Sequence, residues 1–376
     1  MIHTTETTAT HIFNQAGEEV NSNDIHDILV EGGLDWTVSK RPLCTSYSPV
    51  SSSQDMRRPK SLTNYGPKSM QETITQLKTS IKNNDMENAK NIIDQIDNPD
   101  HKILPVEDHY AIVRNDLNIC LGVAGRGYKV MDNYECLAMI ENLIENNILK
   151  IKRVKHFDNG AQVMVMTEMI DNIEIAGQLI KQRINLIWSH DGSWKFSACF
   201  FYELVDMNCI INPKINKKDI PNNVSIRHTL KSIDRLQEAK NLMHYQYKHN
   251  EEFQSIANKM VNQYCDEEQF IEVLDDIFPV KEKKSGKLNK NSEIQNDIQN
   301  IFKDCPANIE NTSWGALVSI SEYADNKMGT RVHGKNEMSE NKIQEAEESN
   351  KLKSIVDGPS AKIKDKAWKA LTKELF

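Results

Sequence analysis

The sequence predicts an α+β fold: an antiparallel sheet with hairpins and a packed central helix, followed by a mainly helical C-terminal region. Three observations carry the prediction. Two pairs, Asn159-Gly160 and Asp191-Gly192, each sit between runs of strand-forming residues. A capped amphipathic run begins at Asp132, and apolar spacing turns helical after about residue 224.

Taken in order, residues 1–23 are polar, rich in Thr and Asn and without period, which predicts a mobile arm. An α+β core domain is expected over 24–223. Gly32-Gly33 breaks the chain, and "LDWTVSKRPL" runs extended as far as Pro42, with Trp36 and Val38 on one face. From Cys44 to about Pro67 the composition shifts to Ser, Pro, Arg and Lys, the mark of a loop. Residues 69–98 place Ile74, Leu77 and Ile81, then Ile92, Ile93 and Ile96, at near-helical spacing, predicting a helical insertion broken near Asn83-Asn84.

"HYAIVR" and "ICLGVAGRGYKVM" flank the turn-forming "NDLN", which predicts a hairpin. "DNYE" then places Glu135 three residues after Asp132, as a capping box requires, and Leu137, Ile140, Leu143 and Ile144 form one apolar stripe behind it. In the two later hairpins Asn-Gly and Asp-Gly supply the positive φ that tight turns demand, and the second sets His190 and Ser193 opposite each other beside the turn.

The region 224–376 is predicted helical, from Ile226, Leu230, Ile233 and Leu236 through Phe253, Ile256, Met260 and Tyr264. Flexible segments are expected near 281–293 and 329–350. Between them a helix carries Trp314, Leu317, Val318 and Ser321 on one side, and a last helix starts near Ser360 with Ile363, Ala367, Ala370 and Leu371 inward.

Composition excludes several classes. With 46 Lys and Arg against 54 Asp and Glu, the formal charge of -8 gives no global pull toward nucleic acid or anionic lipid, so any such binding needs a local patch. No run approaches the roughly 18 apolar residues of a bilayer span. The first twenty residues lack a basic segment followed by an apolar one, so the expectation is a cytoplasmic protein without a membrane partner. Seven cysteines, at 44, 120, 136, 199, 209, 265 and 305, stand singly without a CxxC pair, which predicts reduced, packed thiols.

No motif asks for catalysis, a cofactor or a metal. His190, Asp191 and Ser193 are adjacent at a turn, whereas a catalytic triad needs the imidazole between the other two groups in space. His244 and His249 lie five apart, about 500° around a helix, and so point away from one another. "GVAGRG" has its glycines in the wrong order for a dinucleotide loop and falls in a strand. An enzymatic site would need distant residues such as Asp108, His109 and His228 to converge.

Positive charge does cluster around the central helix. Arg126 and Lys129 precede it, and Lys150, Lys152, Arg153 and Lys155 follow it. On one sheet face these residues would track a phosphate backbone, with Tyr128, Trp188 and Trp194 as stacking platforms for bases. The alternative is a solvated strand face whose lysines discourage edge pairing.

Five blocks in order, "GLDWTVSKRPL", "YAIVRNDLNICLGVAGRGYKVMDNYECL", "SHDGSWKFSACF", "SIRHTLKSIDRLQEA" and "SWGALVSISEYADN", resemble the phage/plasmid-like proteins that carry domain of unknown function 932. The resemblance extends, with gaps, over about residues 28–375. Two features depart from the family pattern. The insertion at 69–98 is longer, and after Phe200 the chain reads "FYELVDMNCIINP" where the family has an Arg-Val-Val-Cys-like strand and an asparagine. No role of that arginine or cysteine therefore transfers. The resemblance implies mobile-element ancestry in a bacterial or phage-infected cell and brings no established reaction. The sheet-and-helix order is loosely similar to single-strand annealing proteins, a likeness of fold that does not carry function. The expected function is nucleic-acid binding for a phage, prophage or plasmid, in recombination or replication, with single-stranded DNA as partner. The alternative is a non-enzymatic factor that contacts other phage or host proteins.

Overall fold

The computed structural model describes residues 17–47, 78–79, 82, 87, 102–215, 223–226, 242–282, 289–329, 332, 339–373 and 375. They fall into two compact units, Met1–Lys40 with Ile112–Phe376, and Arg41–Ala111. The second unit holds the outer stretches of β2 (Val38–Tyr47) and β3 (Lys102–Arg114). With β4 (Ile119–Gly125) these strands form a three-stranded sheet in the order β2-β3-β4, as the "NDLN" turn predicts.

The larger sheet is antiparallel. Its spatial order is β1 (Glu18–Glu19), β5 (Leu149–Phe157), β6 (Gln162–Met169), β8 (Gln178–Ser189), β9 (Phe196–Leu204) and β10 (Cys209–Ile211). The short β7 (Ile173–Ile175) pairs with β8, and β11 (Asn223–Ile226) pairs with β9. All nine residues of β9 are buried, so its sequence "FSACFFYEL" lacks the alternation of a half-exposed strand.

Both faces of the sheet pack. On one, Ile184, Leu186, Trp188 and Phe200 meet α1 (Ile25–Glu31), α2 (Asn133–Leu137) and α3 (Glu141–Glu145). Farther along that face Ile180, Tyr202 and Leu204 meet the C-terminal helices α4 (Leu242–Asn262), α5 (Glu267–Ile277), α6 (Asn291–Lys303), α7 (Ser313–Glu322) and α9 (Pro359–Thr372). The other face buries Met164, Met166, Ile187, Cys199 and Phe201 under Leu352, Ile355 and Val356 of α8 (Glu340–Asp357).

Local chemistry explains the connections. Asp132 accepts the Glu135 N–H at 2.7 Å while the Glu135 carboxylate accepts the Asp132 N–H at 3.1 Å, the expected capping box. The single predicted helix breaks into α2 and α3 at residues 138–140. At the β5–β6 turn Asn159 and Gly160 both have positive φ, 59° and 99°. A Cβ on Gly160 would lie 2.6 Å from the Trp36 ring, so the position needs glycine twice over.

The β8–β9 connection is wider than a two-residue turn. Ile187 pairs with Ser197, and the Ser189 hydroxyl accepts the Trp194 N–H at 2.9 Å and donates to its carbonyl at 3.0 Å. That register is one residue out from the one that would set His190 against Ser193, and the Ser193 hydroxyl instead accepts from Gln162 Nε2 at 2.6 Å.

The edge strand β10 is closed by side chains. Ile210 donates its N–H to Asp325 Oδ2 at 2.9 Å and accepts Lys364 Nζ at 2.7 Å, and Lys364 also bonds Asp325 Oδ1 at 2.7 Å. An edge strand so capped offers no ladder to another chain.

Several expectations are corrected. Of the arm predicted for 1–23, residues 1–16 lie outside the described residues, while Glu18 and Glu19 pair with Val154 and Arg153 and Asp24 caps α1. The helical pattern does not begin at 224, because Asn223–Ile226 is a strand whose β-branched residues pair with β9. The segment expected to be flexible at 329–350 contains most of α8, which is polar along its first half and anchored by apolar residues only near its end. The helix expected through Leu230–Leu236 and residues 283–288 of the expected linker lie outside the described residues. So does the insertion at 69–98, except for residues 78, 79, 82 and 87, which are helical.

Candidate nucleic-acid interface

In β5, "LKIKRVKHF", Leu149, Ile151 and Val154 point into the core beneath α2 and α3. Strict alternation would split the four cations, with Lys150 and Lys152 on one side and Arg153 and Lys155 on the other. A β-bulge prevents this. Ile151 pairs with Thr167 and Arg153 with Met166, so Lys152 is the extra residue and the phase shifts there. Lys150, Lys152, Arg153 and Lys155 consequently share the face opposite Val154, the one that also carries Phe157.

Lys150 and Lys152 are exposed, and Arg153 and Lys155 are half-buried. Arg153 donates to the Gly17 carbonyl at 3.1 Å and lies 3.4 Å from Glu19 Oε2. Glu168, which pairs across from Lys150, is 3.6 Å from Lys181 Nζ and 3.8 Å from Arg183. Arg183 is fully buried, donates to the Thr167 carbonyl at 3.0 Å and forms an ion pair with the buried Glu203. The carboxylate nearest Lys150 in the register is thus already engaged.

Arg126, Tyr128 and Lys129 lie elsewhere, beside the loop that follows β8. The Tyr128 hydroxyl donates to the Ser189 carbonyl at 3.3 Å, and Lys40 Nζ binds the carbonyls of Gly125, Arg126 and Tyr128 at 3.0, 2.7 and 3.0 Å. Burial, then the negative charge of Asp191, pushes the Tyr128 phenol well above its ordinary pKa. The loop adjoins the Phe157 end of β5, since Phe157 pairs with Gln162 and Gln162 with Ser189. The six basic residues therefore form two groups.

Of the three aromatic candidates, Trp188 is removed. It is fully buried, stacks on Phe196 with ring centroids 6.4 Å apart, and donates to Asn133 Oδ1 at 3.2 Å. Adjacent strand residues 187 and 188 are both apolar because both faces of β8 are covered, and sequence alternation could not assign the exposed one. Trp194 is half-buried and meets Phe157 in a T-shaped contact at 6.1 Å between centroids. Sequence reading missed Lys353 of α8, whose Nζ lies 4.9 Å from the Phe157 ring centre and 3.3 Å from Asp158. No local pattern marks it, because the contact joins residues almost 200 positions apart.

The other candidates fall into structural roles. His190 is buried with Nε2 3.1 Å from Asn133 Oδ1 and its ring against Trp36, while Asp191 accepts the Ser193 N–H at 2.8 Å within the loop. His249 is buried against the Tyr202 hydroxyl, 2.7 Å from Nδ1, and burial lowers its pKa to about 4; His244 is exposed. Asp108 and His109 are exposed, and His228 lies outside the described residues. Cys136 and Cys209 are buried thiols whose pKa burial raises. Among the described residues no group of three or more His, Cys, Asp or Glu is placed to hold a metal ion, and no helix is long and apolar enough to cross a membrane.

Fold and site together define an α+β protein with a cationic strip on one face of an antiparallel sheet. The family model described as "Domain of unknown function (DUF932)" matches residues 120–346, more than half of the chain, and the chain belongs to that family. The match takes in the strip and ends within α8. Neither a curated protein nor a solved structure matches the chain.

Proposed function

We propose that this chain is a nucleic-acid-binding protein, of the kind a phage, prophage or plasmid would use in recombination or replication, and that the β5 face is its contact surface. The observation that supports this best is the bulge at Lys152, which gathers four cations onto one side of a strand that would otherwise divide them. A bulge at a sheet margin also serves to blunt the edge, but that purpose does not require the cations to be brought together. Lysine and arginine at such spacing bind through phosphates and give affinity with little sequence preference.

Mobility-shift titration of single- and double-stranded DNA at low salt tests the reading, with the Lys150/Lys152/Lys155→Glu variant as control. The wild type is expected to bind and the variant to lose binding while keeping its circular dichroism. No shift by the wild type at low salt overturns the reading.

A second reading, a protein-interaction factor, draws on a different observation. Ile170, Leu179 and Val205 are 49%, 49% and 38% exposed near one end of the same sheet, and exposed apolar clusters mark contact surfaces. Substituting all three by serine would abolish binding of a protein partner and leave DNA binding unchanged.

A further inference from the structure

We infer that the β5 strip takes a single strand of about three to four nucleotides laid along it, with the base at the Phe157 end stacked on Trp194. This rests on the nucleic-acid reading above and adds strand type, length and the position of one base.

Spacing gives the strand type. Side chains on one face of a β-strand recur every ~6.6 Å. An extended single strand advances roughly twice the duplex step of about 3.4 Å per nucleotide, so Lys150, the bulged Lys152 beside Arg153, and Lys155 meet three successive phosphates. From Lys150 to Phe157 the strand runs about 20 Å once the bulge is allowed for, which sets the length. A duplex would turn its phosphates away from so straight a row, and its bases would stay stacked inside.

The end of the row holds the stacking position. Trp36, Trp188, Trp314 and Trp368 are all buried, which leaves the half-buried Trp194 as the most exposed tryptophan. Its backbone is fixed from both sides by the Ser189 hydroxyl, and its ring meets Phe157 in an edge-to-face contact. The ring is thus held in place before any ligand arrives, which lowers the entropy lost on binding. Lys353 Nζ stands over the same Phe157 ring with Asp158 3.3 Å away. Of the carboxylates beside the strip, Glu168 is engaged by Lys181 and Arg183, whereas Glu19 takes up part of the charge of Arg153.

The test titrates oligothymidylates of one to eight nucleotides into the full chain, following tryptophan emission and, separately, the anisotropy of a labelled oligonucleotide. Emission is expected to fall on binding, and affinity to rise steeply up to about four nucleotides and then flatten. Trp194→Phe should bind without the fall in emission. Trp194→Ala should bind roughly 5- to 150-fold more weakly, the usual span for losing one stacked base. Binding without any change in emission, affinity climbing steeply past four nucleotides, or equal affinity for a duplex of the same length would each overturn the inference and leave the nucleic-acid reading standing. Absence of binding to any oligonucleotide at low salt would remove both.

Discussion

Replacing Lys364 by methionine tests how β10 is held at the sheet margin. The Lys364 ammonium is 4% exposed and bonds both the Ile210 carbonyl and Asp325, whose carboxylate is fully buried. Asp325 has two other donors, the Ser360 hydroxyl at 2.5 Å and the Ile210 N–H at 2.9 Å, neither of which carries charge. Methionine keeps the volume and strips the positive charge in contact with Asp325, leaving a buried carboxylate with, among the described residues, only the half-buried Lys351 as a cation nearby, an error that costs roughly 3–5 kcal/mol. At about 2–4 °C per kcal/mol for domains of this order of size, the melting temperature should drop by at least about 6 °C. Adding Asp325→Asn removes the stranded charge and keeps an oxygen for the Ile210 N–H. The double variant should therefore recover more than half of the loss. Urea unfolding followed by circular dichroism measures all three proteins. A single variant less than about 1 kcal/mol below wild type, or a double variant no better than the single, would refute the claim that the ammonium neutralises a buried charge.

Two further substitutions probe other contacts. His249 has a folded pKa of about 4 against an ordinary 6.5, so between those values the unfolded chain binds a proton that the native one refuses. Stability should fall as pH drops through that window, by up to about 3 kcal/mol from this group. His249→Gln should narrow the difference between unfolding midpoints at pH 7 and pH 4.5, and an unchanged difference would count against it. Gly160→Ala forces a Cβ to 2.6 Å from the Trp36 ring at φ 99°. Overpacking and left-handed strain together should cost roughly 2–5 kcal/mol, read from denaturant midpoints, and a loss below about 1 kcal/mol would contradict that packing.

What the sequence made legible followed from local chemistry. Asn159-Gly160 and Asp191-Gly192 marked two real chain reversals, and Asp132 with Glu135 marked a real helix start, because turn and cap preferences act over a few residues. Pairing across the sheet was less accessible. Arg183 and Glu203 meet in the core 20 positions apart, and the β8–β9 register that brings them together differs by one residue from the one the turn alone implies. Helix α8 was missed because it anchors through Leu352, Ile355 and Val356 alone, leaving its first half without an apolar stripe. At the candidate site the cations of "KIKRVK" stand out in composition, yet only the ladder reveals that Lys152 is the bulged residue and that the four share a side. Trp188 and Trp194 look alike in sequence, and only the packed second face of the sheet separates them.

The salt dependence of single-strand binding is the most direct test of the β5 face. If Lys150, Lys152 and Lys155 each neutralise one phosphate while Arg153 stays with Glu19, log K should fall against log salt with a slope of about -2.1, and affinity should drop roughly 20-fold between about 50 and 200 mM. In Lys150→Ala/Lys152→Ala the slope should fall to about -0.7, a drop of roughly 3-fold. An identical slope in the two proteins would place the phosphates elsewhere on the molecule and contradict the account.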